Sequence, residues 1–183
     1  ESINKTYEII KGNIENNTTT VTMEELPEVA QKIGVGAILF DFLKNGRERD
    51  IIFELDRILD FEGESGPYVQ YSYARSQSIL RKADGEFTIP KNYTLNETEY
   101  ELCDKLSAFP QILSQSVEKY EPCMITHYAI ELPSIFNKFY FECKILGAED
   151  EDKKNFRLAL TKATGIVIKN ALTLLGIGAP EKM

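Results

Sequence analysis

The chain has 183 residues, with 29 acidic against 21 basic side chains and a formal charge of −8. That length suffices for one domain with a real core. The charge argues against a surface that grips phosphate indiscriminately, and no run nears the roughly 18 apolar residues of a membrane span.

The chain opens at Glu1 with no Met, and Ile3, Tyr7, Ile10 and Ile14 already mark a helix face, the pattern expected of a piece of something longer. Asn16 to Thr20 is a polar break without apolar periodicity. Thr22-Met-Glu-Glu25 fits a capping box for a helix through Val29, Ala30 and Ile33, with Pro27 tolerable in its first turn. Gly34 and Gly36 suit close helix packing, and Ala37 to Leu43 is an apolar run that fits either a strand or a buried helix. Lys44 to Asp50 is a charged turn, Ile51 to Asp56 reads as extended, and a short helix is expected through Leu59 and Phe61. Gly66-Pro67 starts a helix and Gly85 stops it. Val69, Tyr73, Ser76, Ile79 and Leu80 face inward there, while Arg75 and Lys82, seven apart, share a second face. Asp84 to Tyr93 is a loop that Phe87 and Ile89 could dock.

Thr94-Leu-Asn-Glu97 is the expected cap of the next helix, which runs to Leu106. Pro110 begins another, with Leu113, Val117 and Tyr120 as its stripe. After Glu121-Pro122 comes the most regular pattern of all, Ile125, Tyr128, Ala129, Leu132, Phe136, Phe139, Tyr140 and Cys143, which Pro133 should bend. Glu149 to Asp152 places negative charge at the start of the last helix. Leu158, Ala159, Ala163, Ile166, Val167, Ala171, Leu174 and Leu175 write its stripe. Gly176 and Pro180 stop it, and the apolar tail Ile177 to Pro180 predicts a chain that folds back and fixes Met183 and its carboxylate. Six to seven helices with short connections make an all-α helical bundle, a single domain over residues 1–183.

Chemistry is sparse. Cys103, Cys123 and Cys143 lack CxxC spacing and read as buried reduced thiols. His127 sits beside core positions without a nucleophile motif, and no GxSxG, P-loop or HExxH pattern occurs. No catalytic residue, metal site or cofactor is therefore expected in this chain. A different constellation remains: Asn137, Lys138, Tyr140, Phe141 and Lys144 late in one helix, and Lys162, Lys169, Asn170 and Met183 on or after another. Amides read base edges, aromatics and thioethers stack under an unpaired base, and ammonium groups contact phosphate. Periodicity alone puts Phe139 and Tyr140 in the core, so two readings of that helix stand at this point.

A resemblance bears on the choice. Gly34-Val-Gly-Ala-Ile38, Asp50-Ile-Ile-Phe53, Phe61-Glu-Gly63, Pro67-Tyr-Val-Gln-Tyr71, Tyr73-Ala-Arg75 and Ser78-Ile-Leu-Arg-Lys-Ala83 come in that order. Leu106, Phe109-Pro110, Glu121-Pro122, Phe136-Asn-Lys-Phe-Tyr140 with Cys143, Arg157-Leu-Ala-Leu160, Asn170 and Leu174-Leu-Gly-Ile-Gly-Ala-Pro-Glu-Lys-Met183 follow. Together they resemble arginyl-tRNA synthetases downstream of the class I signature. The resemblance implies the helical anticodon-binding domain named for a DALR motif, although Val35-Gly-Ala-Ile38 stands where other members carry Asp-Ala-Leu-Arg. It also implies that Tyr140 and Met183 lie near a tRNA anticodon loop, and helical spacing extends that set to Asn137 and Lys169. No HIGH-type or KMSKS-type segment is present, so residues 1–20 read as a connector from an absent catalytic domain. The parent would join arginine to tRNA using ATP with Mg; this fragment would be inactive. By the same resemblance the expected partners are arginine tRNA and that catalytic domain, in a cytoplasmic monomer. A helical protein-interaction or structural domain that binds no RNA is the alternative, and the acidic balance favours it.

Overall fold

The computed structural model describes residues 1–61, 63–83 and 87–183, and among them every regular element is helical. The helices are α1 (Ser2–Glu15), α2 (Leu26–Leu43), the single turn α3 (Leu55–Ile58), α4 (Gly66–Ala83), α5 (Glu97–Ser107), α6 (Phe109–Lys119), α7 (Cys123–Glu142) and α8 (Glu151–Leu174). The expected stop at Gly85 lies outside the described residues.

The ambiguous run from Ala37 to Leu43 is helical, the second half of α2. Leu26, Val29, Ala30, Ile33, Ala37 and Phe40 are all buried and form one stripe through both glycines, so 3.6-residue periodicity governs the whole segment. Each glycine in a helix interior costs about 1 kcal/mol relative to alanine, and packing explains why two are kept. A Cβ on Gly34 would lie 2.8 Å from the Ile3 backbone on α1, and one on Gly36 would lie 2.7 Å from Gln70 Nε2 and 2.9 Å from Ile177 Cγ2. α2 is thus the plate on which α1, α4 and the C-terminal tail all rest.

Several expected boundaries move. Residues 51–54 are irregular and α3 begins at Leu55, ahead of Leu59 and Phe61, with the Arg57 guanidinium donating to Ile52 O at 2.9 Å across the turn. The capping box of α5 is Asn96 with Glu99, two residues beyond the Thr94–Glu97 pair: Asn96 Oδ1 accepts from Glu99 N at 2.8 Å and Glu99 Oε2 from Asn96 N at 3.0 Å. Glu99 is held there because its carboxylate is fully buried and also accepts from Arg157 Nε at 2.8 Å and Tyr93 OH at 2.9 Å. Phe87 docks on the main core, whereas Ile89 is exposed.

The largest correction concerns α8. Ile166 and Leu174, expected inside, are exposed, and Leu160, Thr161, Thr164, Gly165, Ile168 and Leu172 are buried instead. α8 crosses α4 at Gly165, where a Cβ would stand 2.6 Å from Ser76 Oγ. That crossing draws small polar residues inward. Thr161 and Thr164 tolerate it because their hydroxyls donate to Arg157 O and Leu160 O, one turn back, at 2.8 Å each, which meets the hydrogen-bond demand of a buried hydroxyl.

α7 continues through the buried Pro133 from Cys123 to Glu142. Its stripe supplies Tyr128, Leu132, Phe136 and Phe139 to the main core, while Tyr140 is 47% exposed. A smaller core of Ile10, Val21, Leu26, Val29, Ala30 and Ile33 lies between α1 and α2. The tail joins the two cores. Gly176, at φ +72°, turns the chain, Ile177 N donates to Leu172 O at 2.8 Å, Gln70 Nε2 donates to Gly178 O at 2.6 Å, and Met183 packs on the smaller core.

Candidate nucleic-acid interface

Tyr71, Arg75, Ser78 and Arg81 recur at intervals of three and four along α4, so they share one face, and all four line a cavity of about 370 Å³. Tyr140 from α7 and Met183 with Lys182 from the tail line the same cavity. The fourth contributor is the loop between α1 and α2, residues Asn17 to Thr20. A second cavity, of about 500 Å³, shares Tyr71 and Arg75 with the first and adds Tyr68, Phe61 and Asn137.

Arg75 organises the junction. Its guanidinium lies 4.8 Å from the centroid of Tyr71 and 5.3 Å from that of Tyr140, donates to Asn137 Oδ1 at 2.7 Å and to Tyr71 OH at 3.2 Å. Asn137 in turn donates to Tyr68 OH at 3.0 Å. A planar cation held between two rings by hydrogen bonds fixes the spacing of those rings before any ligand arrives. Among the described residues neither Arg75 nor Arg81 has a carboxylate partner, so positive charge is concentrated here although the whole chain is acidic.

The tail wall is pinned at two points. Arg81 donates to Glu181 O at 3.2 Å, and Lys182 Nζ lies 2.6 Å from Glu25 Oε1. That ammonium, first, and the Thr22 backbone N–H, second, hold the Glu25 carboxyl below its usual range. Glu25 also accepts from Thr22 N at 2.9 Å, so the expected Thr22–Glu25 pairing exists, in the turn that precedes α2, and serves to anchor the last residues of the chain.

Of the residues singled out from the sequence, Tyr140 and Met183 share one cavity and Asn137 lines the adjoining one. Lys169 lines neither: it is exposed on α8, with its ammonium 5.9 Å from the Tyr73 ring. The helix that meets α7 at this place is therefore α4, not α8 as the spacing suggested. Tyr71, Arg81, Lys182 and the Asn17–Thr20 loop were not anticipated. The shared face of Arg75 and Lys82 was the available signal for α4; a polar loop leaves no comparable trace.

Two aromatic rings, two guanidinium groups without acidic partners, a thioether and a neutral carboxamide around a cavity of this size suit a flat, hydrogen-bonding, anionic ligand such as a nucleotide from a single strand. Among the described residues no group of three or more His, Cys, Asp or Glu side chains could hold a metal ion. Fold and site together define an all-helical module with a small, cationic and aromatic recess at one end. The chain belongs to the DALR anticodon-binding domain family, whose pattern matches residues 69–183. Over its whole length it is 48% identical to an arginine–tRNA ligase of Clostridium perfringens and 46% identical to that of Clostridium acetobutylicum, spanning 32% of each. It also superimposes with a TM-score of 0.91, at 30% identity, on the arginyl-tRNA synthetase of Thermus thermophilus, covering all of this chain and 31% of that one. The chain thus spans about a third of the length of the curated relatives it matches.

Proposed function

We propose that this chain holds the anticodon stem and loop of arginine tRNA on behalf of a longer arginine–tRNA ligase. In that protein a catalytic segment outside this sequence uses ATP with Mg to activate arginine and transfers it to the 3′ end of the tRNA. This chain carries no step of that chemistry; its part is to bind and orient. A monomeric protein of the cytoplasm, with this domain docked on the catalytic one, fits that role.

The observation that supports the reading most is the cavity itself, where Tyr140, Tyr71, Arg75 and Met183 converge in a chain of an anticodon-binding family. An unstacked base would rest on Tyr140 or Tyr71, its phosphate would meet Arg81 or Arg75, and Met183 would pack against its edge. Asn137 holds Arg75 in place, and Lys169, outside the recess, is left for a backbone phosphate of the stem.

A fluorescence titration of the 183-residue chain with an arginine tRNA transcript, at low and at high salt, tests the proposal. Saturable binding that weakens with salt and is competed poorly by a tRNA of another amino acid is expected. A folded chain that binds no tRNA at low salt refutes it and leaves the helical protein-interaction reading.

A further inference from the structure

The loop between α1 and α2 looks unremarkable in sequence, yet it forms one wall of the recess. We infer that Asn17 and Thr20 in this loop read the edge of the nucleobase held there, and so set which base the site accepts. The inference rests on the anticodon-loop reading above and goes beyond it by assigning the discriminating contacts.

The loop is built to hold a shape. Thr18 donates to Asn13 O from both its backbone N–H, at 2.9 Å, and its hydroxyl, at 3.1 Å. Thr19 Oγ1 accepts from Val21 N at 3.1 Å, and Val21 is buried in the smaller core. The loop's own fold thereby fixes the orientation of both hydroxyls. Asn17 and Thr20 differ: both line the cavity, both are exposed, and neither side chain has a hydrogen-bond partner among the described residues.

The rings and guanidinium groups of the other walls do not discriminate, and Ser78 on α4 adds only a single hydroxyl to what Asn17 and Thr20 offer. A ring stacks on any base, because every base has a π face, and a guanidinium on phosphate is blind to sequence. A carboxamide offers an acceptor and two donors side by side, and a hydroxyl offers either. Those groups can match one Watson–Crick or Hoogsteen edge and leave another unpaired. Among the described lining residues, Asn17 supplies the only carboxamide in the cavity that Tyr140 and Met183 share.

Asn17 stands at φ +55°, so the variant that removes its carboxamide without backbone strain is Asn17→Gly rather than alanine. Asn17→Gly and Thr20→Val, alone and combined, are titrated with a synthetic anticodon stem-loop of arginine tRNA and with stem-loops changed at each loop base in turn. The wild-type chain should lose on the order of tenfold affinity for at least one base change. The double variant should lose about the same factor on the unchanged stem-loop and no longer distinguish it from that changed one, with thermal unfolding and salt dependence unaltered. Base preference that persists in the double variant, a loss equal for every stem-loop, or wild-type binding without base preference overturns the inference alone. Failure of the wild-type chain to bind any stem-loop at low salt overturns the anticodon-loop reading and this inference with it.

Discussion

Replacing Arg75 separates two ways in which the recess could work. Arg75→Met removes the charge and the fork but keeps the stem, whereas Arg75→Lys keeps the charge and loses only the planar fork. In the free protein Arg75→Lys keeps a cation beside both rings and loses the planar fork, whereas Arg75→Met gives up both ring contacts, worth about 0.5–1 kcal/mol each at partly exposed sites, and the hydrogen bond to Asn137 Oδ1 at 2.7 Å. Water replaces part of that bond, so the net cost should be about 1–2 kcal/mol, visible as a fall in Tm of roughly 2–4 °C per kcal/mol for a domain this size. The effect on RNA should be larger. If Arg75 sets the distance between Tyr71 and Tyr140, both variants lose a stacking platform worth about 1–3 kcal/mol, or about 5- to 150-fold in Kd. The assay is a titration with the anticodon stem-loop alongside thermal unfolding. A lysine variant that binds as tightly as wild type while the methionine variant does not would refute the reasoning, since a point charge alone would then carry the affinity.

Three further outcomes follow from the packing and the charges. Gly36→Ala should cost about 1–3 kcal/mol, because its Cβ would stand 2.7 Å from Gln70 Nε2 and 2.9 Å from Ile177 Cγ2; urea unfolding measures this, and RNA binding should weaken with it as the tail lifts. Arg157→Leu should destabilise by about 3–5 kcal/mol, since it strands the fully buried Glu99 carboxylate; the double variant Arg157→Leu with Glu99→Gln should recover part of that loss in the same measurement. Because the Glu25 carboxyl is held below its ordinary value of 4.5 by Lys182 first and by Thr22, the stability it lends the tail is full above pH 4.5 and is lost as pH falls through the lower folded value. Glu25→Gln should flatten that limb of the stability–pH curve, read by chemical denaturation.

Much of this fold is written in the apolar spacing. α7 follows its predicted stripe from Ile125 to Phe139, because a helix pressed against α4, α5, α6 and α8 has little freedom in which face it buries. α8 does not follow its own. Periodicity counts hydrocarbon, and the buried face of α8 is built on Gly165, Thr161 and Thr164, whose use depends on how near α4 comes. The recess was half legible for a related reason. Tyr140 follows Phe139 at the end of a core stripe, and the roughly 100° turn from one helical residue to the next carries its ring out of the core to the edge of α7, where it is half exposed beside Arg75. Arg75 could be placed on a shared face from spacing, but its ring partners come from two helices that are distant in sequence. The contribution of Asn17 to Thr20 depends wholly on where the tail ends, which no local pattern encodes.

The proposed site requires Met183 to lie against the bound RNA. The chain has three methionines, so methyl-13C labelling gives three resolvable probes. Met124, in the first turn of α7, lies about 24 Å along that helix from Tyr140 at 1.5 Å per residue and serves as an internal control. On titration with the arginine anticodon stem-loop, the Met183 methyl should shift and saturate while the Met124 methyl stays in place. A saturating shift at Met124 with Met183 unmoved would put the RNA at the other end of the bundle and contradict the site described here.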